Sequence, residues 1–492
     1  MSKSTAKKAD IPVLLDAVVN MSSSGAAESD PDNLFLKRFL PLPEHARALE
    51  PDTLLIVGNR GAGKTALFRA IQTPTGVQSI AKVSSRVDPR QIENSRWLVG
   101  YSSAGSDYPA EIVFRKFAQD KDPIGLQVTW LGYLLRCLHK AGVLTAAGLP
   151  SGLQEIIARP VVPIDDLFAA IQENLEGCIA GLDRLDGELL KNSRWVFITY
   201  DELDRVSSSD WVQLTKIVRG LIQFWSSNAR RWRRLRPKIF LRRDLYDRSA
   251  IVGPDVSKIT AQRVELNWSV RNLYALLAKR LVNQDAIIAS YLGPDVPPGE
   301  NRDDLGWFPL GAKDEDYAPM VAKICGEFMG ANARKGSTFS WIPTHLQDSH
   351  GQVLPRSIVR LFEKAADMER RSHRAEWPHI IHHTALRGSL DLVSVDRVAE
   401  IKEEFPWIER VQAALRAANI KVPAERTELQ RALQIDWTKE NEQPPETSPY
   451  ALLQFMGELG IFYHRPDERV DVRDIYLDGF GLKRKGGVKK PF

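Results

Sequence analysis

Cysteine is scarce: Cys137, Cys178 and Cys325 are the only three in 492 residues, and no CxxC spacing occurs. That excludes a disulfide framework or a thiolate zinc site, and the apolar helical surroundings of each predict buried free thiols in a reducing compartment. Long apolar runs are also missing. None approaches the roughly 18 residues that span a bilayer, and the lysines of MSKSTAKKAD have no apolar segment behind them. No membrane partner and no secretory signal are expected, so the reading is a cytoplasmic one. Charge of one sign is absent too: 67 Lys and Arg stand against 62 Asp and Glu, a net +5. Such a balance permits nucleic-acid contact without demanding it. There is no internal repeat at a period of 20–50 residues. No Ser-His-Asp or Cys-His arrangement stands out, which leaves nuclease, protease and acyl-transfer chemistry without residue-level support. What remains is 43% apolar and 26% charged residues, an ordinary globular composition with length for two to four domains.

Along the chain, residues 1–33 are weakly apolar and read as a flexible N-terminal segment, with SSSGAAESDPD (22–32) as linker. From residue 34, apolar runs bounded by turn signals recur at 53–57, 96–102, 194–200 and 238–243, with helical periodicity between them. Strand and helix in alternation predict an α/β domain with a parallel sheet over 34–255. Residues 257–291 read as helical, and 292–318, rich in proline and glycine, as a loop. Further helical segments at 319–330 and 354–371 complete a helical domain spanning 256–400. Over 401–492, helices around 407–418, 424–434 and 449–459 precede two short strands flanking a turn at Arg465–Glu468. That pattern predicts a winged-helix-like domain with a basic tail.

The strongest chemical signal is Gly58-Asn59-Arg60-Gly61-Ala62-Gly63-Lys64-Thr65, a full GxxxxGK[ST] placed after a strand and before a helix. Its glycines let the backbone curl so that N–H groups face a phosphate, and the helix N-terminus adds positive potential. Lys64 supplies a charge for the β- and γ-phosphates, and Thr65 a hydroxyl for Mg²⁺. The expected nucleotide contacts run from Gly58 through Ala66. At VFITY-Asp201-Glu202, a strand ends in an acidic pair, with Asp201 for the metal and Glu202 to polarise a water. Asp204 is read as capping the next helix or pairing with Arg205. A later strand, KIFLRRDLY, ends in Arg242-Arg243; the carboxyl end of a parallel strand faces the ligand crevice, and Arg242 is chosen to meet the γ-phosphate. Arg356, which with Pro355 stands at the start of the helix SIVRLFEKA, is the candidate to close over the nucleotide from the helical side. ATP is favoured over GTP because no guanine-reading NKxD-type motif occurs.

These sites in this order resemble the AAA+ ATPases, and within them the STAND and origin-recognition-like branches: YDELDR for the acidic motif, FLRRDL for the sensing strand, LPRSIVRL for the second sensor. The resemblance implies a P-loop sheet with a helical lid and a C-terminal winged-helix-like domain. It also implies Mg²⁺-dependent ATP hydrolysis driving conformational change and assembly, with a homo-oligomer or a separate effector as partner. Many bacterial STAND-type members serve anti-phage defence or signalling. This chain has no long repeat array and no appended effector, so output would fall to a partner. The alternative is a DNA-binding ATPase whose nucleotide site regulates loading.

Other constellations leave choices open. RRWRRLRPKIFLRR (230–243) holds eight basic residues and no acidic one. Arg230, Arg231, Arg233 and Arg234 could grip nucleic acid, face a neighbouring subunit, or form a solvated face. The tail KRKGGVKK (483–490) could extend a wing. Against base reading, SPYALLQFMGELG (448–460) has no Lys or Arg. His379, His382 and His383 would share one face of a helix, but no fourth zinc ligand stands at a telling distance; a packed or solvated face is the reading.

Overall fold

A computed structural model describes residues 10–21, 31–103, 107–207, 210–249, 261–372, 377–439 and 443–486. The chain divides into two compact units, Pro41–Asn267 and a second made of Met1–Leu40 with Trp268–Phe492. In the first, β1 (Leu55–Gly58), β2 (Ser95–Tyr101), β3 (Trp195–Tyr200), β4 (Leu235–Arg242) and β5 (Arg263–Glu265) form a parallel sheet in the order β2-β3-β4-β1-β5. Because β4 lies between β1 and β3, the carboxyl ends of all three stand side by side. Gly58 is the register partner of Arg242, and Tyr200 that of Ile239.

Parallel strands need crossover connections, so both faces of the sheet are covered. On one face, the helices Pro123–Lys140, Leu175–Lys191 and Trp211–Asn228 share a core with Val196, Ile198, Tyr200, Ile239 and Leu241. Trp130 and Trp225 meet the Tyr200 ring edge-on at 5.9 and 6.3 Å, and the Trp225 indole donates to the Tyr200 hydroxyl at 3.1 Å. On the other face, the Lys64–Ile71 helix sets Phe68 edge-on to Phe240 at 5.7 Å. Gln72, just beyond that helix, donates to Thr199 Oγ1 at 3.1 Å.

For this sheet four strands are expected from the sequence, and among the described residues five are found. β5 has three residues and falls in the stretch read as helical, too short for its period to register. The stretch read as a loop, 292–318, contains a hairpin of β6 (Gly299–Arg302) and β7 (Gly306–Pro309). Two side chains of the Val270–Gln284 helix hold it: Lys279 donates to the Leu305 and Trp307 carbonyls, and Asn283 exchanges hydrogen bonds with the Trp307 backbone at 2.7 and 2.9 Å.

The second unit corrects the N-terminal expectation as well. Ile11–Val19 is a helix that buries Leu14, Leu15, Ala17 and Val18 and packs on the Pro355–Ser372 helix, where Asp16 pairs with Arg370 at 3.0 Å. Nine residues gave too brief a stripe to stand out from a weakly apolar segment; the linker expected at 22–32 lies mostly outside the described residues. The boundary set at 400/401 falls inside the helix His383–Glu404, and the one at 255/256 lies outside the described residues.

At the C-terminal end, β8 (Lys421–Val422) pairs with β11 (Lys483–Arg484), and β9 (Phe462–His464) with β10 (Val470–Val472). Buried Asp471 ties these pieces together by accepting from Tyr463, Arg465, Arg484 and the Val472 N–H. Arg484 is thus held inward, and 487–490 of the basic tail lie outside the described residues. His379 and His382 precede the helix that begins at His383, so the three do not share a helical face. Their rings gather around Trp377, and no metal-binding cluster occurs among the described residues. Of the thiols, Cys178 and Cys325 are buried, while Cys137 is half-buried, its Sγ 3.3 Å from the Val99 carbonyl. Among the described residues, no helix is long and apolar enough to cross a membrane.

His45 gives the first unit a pH dependence. It is fully buried in the first turn of the Pro43–Leu49 helix, and its Nδ1 accepts the Leu42 N–H at 3.2 Å. Burial holds its pKa down to about 3. The unfolded chain binds a proton near pH 6.5 and the folded one does not, so stability is full above pH 6.5 and falls toward pH 3, by about 1.4 kcal/mol per unit. His45→Gln keeps an acceptor at the third helical position but cannot titrate. Urea midpoints followed by tryptophan fluorescence between pH 7 and 4 should fall less steeply for the variant; parallel profiles would contradict the assignment.

Candidate nucleotide site

The loop after β1 turns on two glycines. Gly61 and Gly63 have φ of 81° and 95°, a region that side-chain-bearing residues rarely adopt. Gly63 caps the helix that begins at Lys64. The first-turn N–H groups of that helix have no partner within it, which makes this end an anion seat. Lys64 Nζ folds back on the loop, donating to the carbonyls of Gly58 at 3.0 Å and Asn59 at 3.1 Å. A lysine resting on two carbonyls can exchange them for phosphate oxygens with little movement.

Asp201 follows β3, and its N–H donates to the Tyr101 carbonyl at 3.1 Å. The side chain is 3% exposed, and its Oδ2 is buried without a hydrogen-bond partner among the described residues. Burial raises its pKa to about 6; Asp204 and Glu202 add to the rise, and the backbone of Glu202 and the charge of Lys64 oppose it. A buried carboxylate oxygen without a donor is expensive, and a cation beside it is the natural compensation. The Asp201 carboxylate and the Thr65 hydroxyl, in the first turn of the Lys64–Ile71 helix, are hard oxygen donors of the kind Mg²⁺ takes.

Glu202 sits in a left-handed backbone conformation, φ 54°, uncommon for a residue with a side chain. Its Oε2 accepts from Ser102 Oγ at 3.1 Å, Ser103 N–H at 3.1 Å and Ser103 Oγ at 2.6 Å, while Arg205 stands 3.7 Å from Oε1. The end of β2 therefore holds this carboxylate. Sequence reasoning missed both serines because they lie a hundred positions away. The available signal was their place at the carboxyl end of a parallel strand.

Arg242, the last residue of β4, is 6% exposed. Its Nε and Nη2 fork onto Asp244 at 3.1 and 2.5 Å, and its Nη1 lies 3.5 Å from Asp204 Oδ2. The Asp204 expectation is corrected: it faces Arg242 across the strand ends, and Arg205 faces Glu202. The structure thus brings the 58–66 loop, Asp201, Glu202 and Arg242 to the carboxyl ends of neighbouring strands in one unit. Arg356 belongs to the other unit, where its Nη1 meets Glu400 at 3.2 Å; Glu400 also takes Arg360 at 3.1 Å and Arg397 at 3.4 Å.

The basic run 230–238 is less of a surface than its composition suggests. Arg231 forks onto Asp183, Arg234 stacks over Trp195 at 4.2 Å, and Lys238 is fully buried, donating to the Glu50 and Thr53 carbonyls. Asp186 accepts three successive N–H groups, from Arg233, Arg234 and Leu235, which fixes the loop. Arg230 and Arg233 keep exposed side chains.

No protein-family model matches the chain, and no curated protein is similar to it in sequence. Among solved structures, the ORC2 protein of Aeropyrum pernix in its ADPNP–ADP complexes is 12% identical, with a TM-score of 0.37 over 89% of this chain and 92% of that one. The A. pernix ORC1 protein in complex with DNA is 13% identical, with a TM-score of 0.34 over 90% and 91%. Cdc6p of Pyrobaculum aerophilum is 12% identical, with a TM-score of 0.25 over 86% and 83%. Scores this low assign no family, and the site rests on its own geometry.

Proposed function

We propose that this protein is a Mg²⁺-dependent ATP hydrolase that works as a conformational and assembly switch. The observation that carries the reading is the Gly58–Thr65 loop together with a buried carboxylate, Asp201, whose Oδ2 has no hydrogen-bond donor among the described residues. Gly58, Asn59, Arg60, Gly61, Ala62, Gly63, Lys64, Thr65 and Ala66 would surround the phosphates, with Thr65 and Asp201 on the metal. Bound Mg²⁺ would neutralise charge building on the phosphates. Glu202 takes a proton from the attacking water, and Arg242 meets the γ-phosphate. Arg356 is assigned the second sensing role. Output passes through a second copy of the chain or a separate effector, in signalling or phage defence.

Per-subunit ATP hydrolysis that needs Mg²⁺ and rises with protein concentration, together with a larger mass by light scattering in ATP than in ADP, is the expected result. Stably retained ATP without turnover would replace the switch with a scaffold. A second reading, nucleic-acid binding regulated by the nucleotide, draws on Arg230 and Arg233, exposed on a loop that Asp186 holds rigid. ATPase stimulation by DNA, with binding that weakens steeply in salt, would favour it.

A further inference from the structure

Two carboxylates among the described residues lie on Arg242, and they are not equivalent. Asp244 takes the Nε–Nη2 edge in a two-bond fork and stands in the first turn of the Arg243–Ser249 helix, immediately after β4. Such forks fix the plane of a guanidinium as well as its place. Asp204 stands off the remaining nitrogen, Nη1, at 3.5 Å and belongs to the turn after the acidic motif. Its side chain is 31% exposed, against 16% for Asp244 and 7% for Arg242. One partner is short, two-pointed and covered; the other is longer, single-pointed and open to water. Gly58, where the phosphate loop begins, is the register neighbour of Arg242 on β1.

We propose that Asp244 is the positioning residue that aims Arg242, and that Asp204 is a place-holder anion which the γ-phosphate of ATP displaces from Nη1. The inference rests on reading Arg242 as the γ-phosphate contact and adds how that contact is regulated. A nucleotide ending in its β-phosphate leaves Asp204 in place. ATP takes Arg242 from it and releases the turn that begins at Leu203, one residue after Glu202. The Asp204–Arg242 pair thus sets how strongly the site prefers ATP to ADP.

The two aspartates then have opposite effects. Asp204→Asn removes a longer, single-pointed competitor whose carboxylate is partly screened by water, so it should raise the ATP-over-ADP affinity ratio about three- to fivefold. Asp244→Asn loosens the fork and should lower that ratio about tenfold. Both ratios come from equilibrium titration with ATPγS and ADP in Mg²⁺, without turnover, and circular dichroism melts confirm the fold. On an Arg242→Ala background, Asp204→Asn should no longer move the ratio. A ratio that stays unchanged or falls in Asp204→Asn while Arg242→Ala lowers it would overturn the place-holder assignment. A ratio that Arg242→Ala leaves untouched would instead remove the reading of Arg242 beneath it.

Discussion

Glu202→Gln leaves ATP bound and slows its hydrolysis by about 10²- to 10⁴-fold, the range that a lost general base costs. The substitution is isosteric, and glutamine keeps an oxygen where Glu202 accepts from Ser102 and Ser103. The unusual φ of 54° belongs to the backbone and does not depend on the charge. In the proposed function, binding falls to the Gly58–Thr65 loop, which the variant leaves alone. Affinity for a fluorescent ATP analogue should therefore stay close to the parental value while single-turnover hydrolysis nearly stops. Hydrolysis at the parental rate would show that another group activates the water.

Lys64→Ala has its effect one step earlier, on binding. The lysine donates to two loop carbonyls at 3.0 and 3.1 Å, and in the proposed function it gives them up for phosphates. Charge-assisted hydrogen bonds contribute about 1.5–3 kcal/mol each. Losing one or two such contacts corresponds to an affinity loss on the order of 100-fold at 1.4 kcal/mol per decade. Equilibrium dialysis with labelled ATP should show that loss, while the fold persists because Lys64 is a half-exposed residue outside the core. Unchanged affinity would place the nucleotide elsewhere on the molecule.

The parts of this site that a sequence displays are those set by neighbours in the chain. The Gly58–Thr65 loop reads directly, because its turn, its cation and its helix start are contiguous. Asp201 and Glu202 read well because a run of apolar β-formers ends on them. What supports them does not read. Ser103 reaches Glu202 only because β2 pairs with β3, and Asp204 reaches Arg242 only because β3 lies beside β4. Local spacing gave Asp204 the partner nearest in sequence, Arg205, whereas strand order gave it another. The basic run misled for the same reason: Asp183, on a helix nearly fifty residues earlier, takes the Arg231 side chain, and Trp195 on β3 takes that of Arg234. β5 and the Ile11–Val19 helix were too short for periodicity to detect, since packing rather than propensity holds them.

The most direct measurement is a crystal structure with Mg²⁺ and a non-hydrolysable ATP analogue. The β-phosphate is expected among the N–H groups of residues 61–65, with the metal on the Thr65 hydroxyl and the Asp201 carboxylate facing it. A nucleotide bound away from this loop, or a metal that ignores both residues, would contradict it.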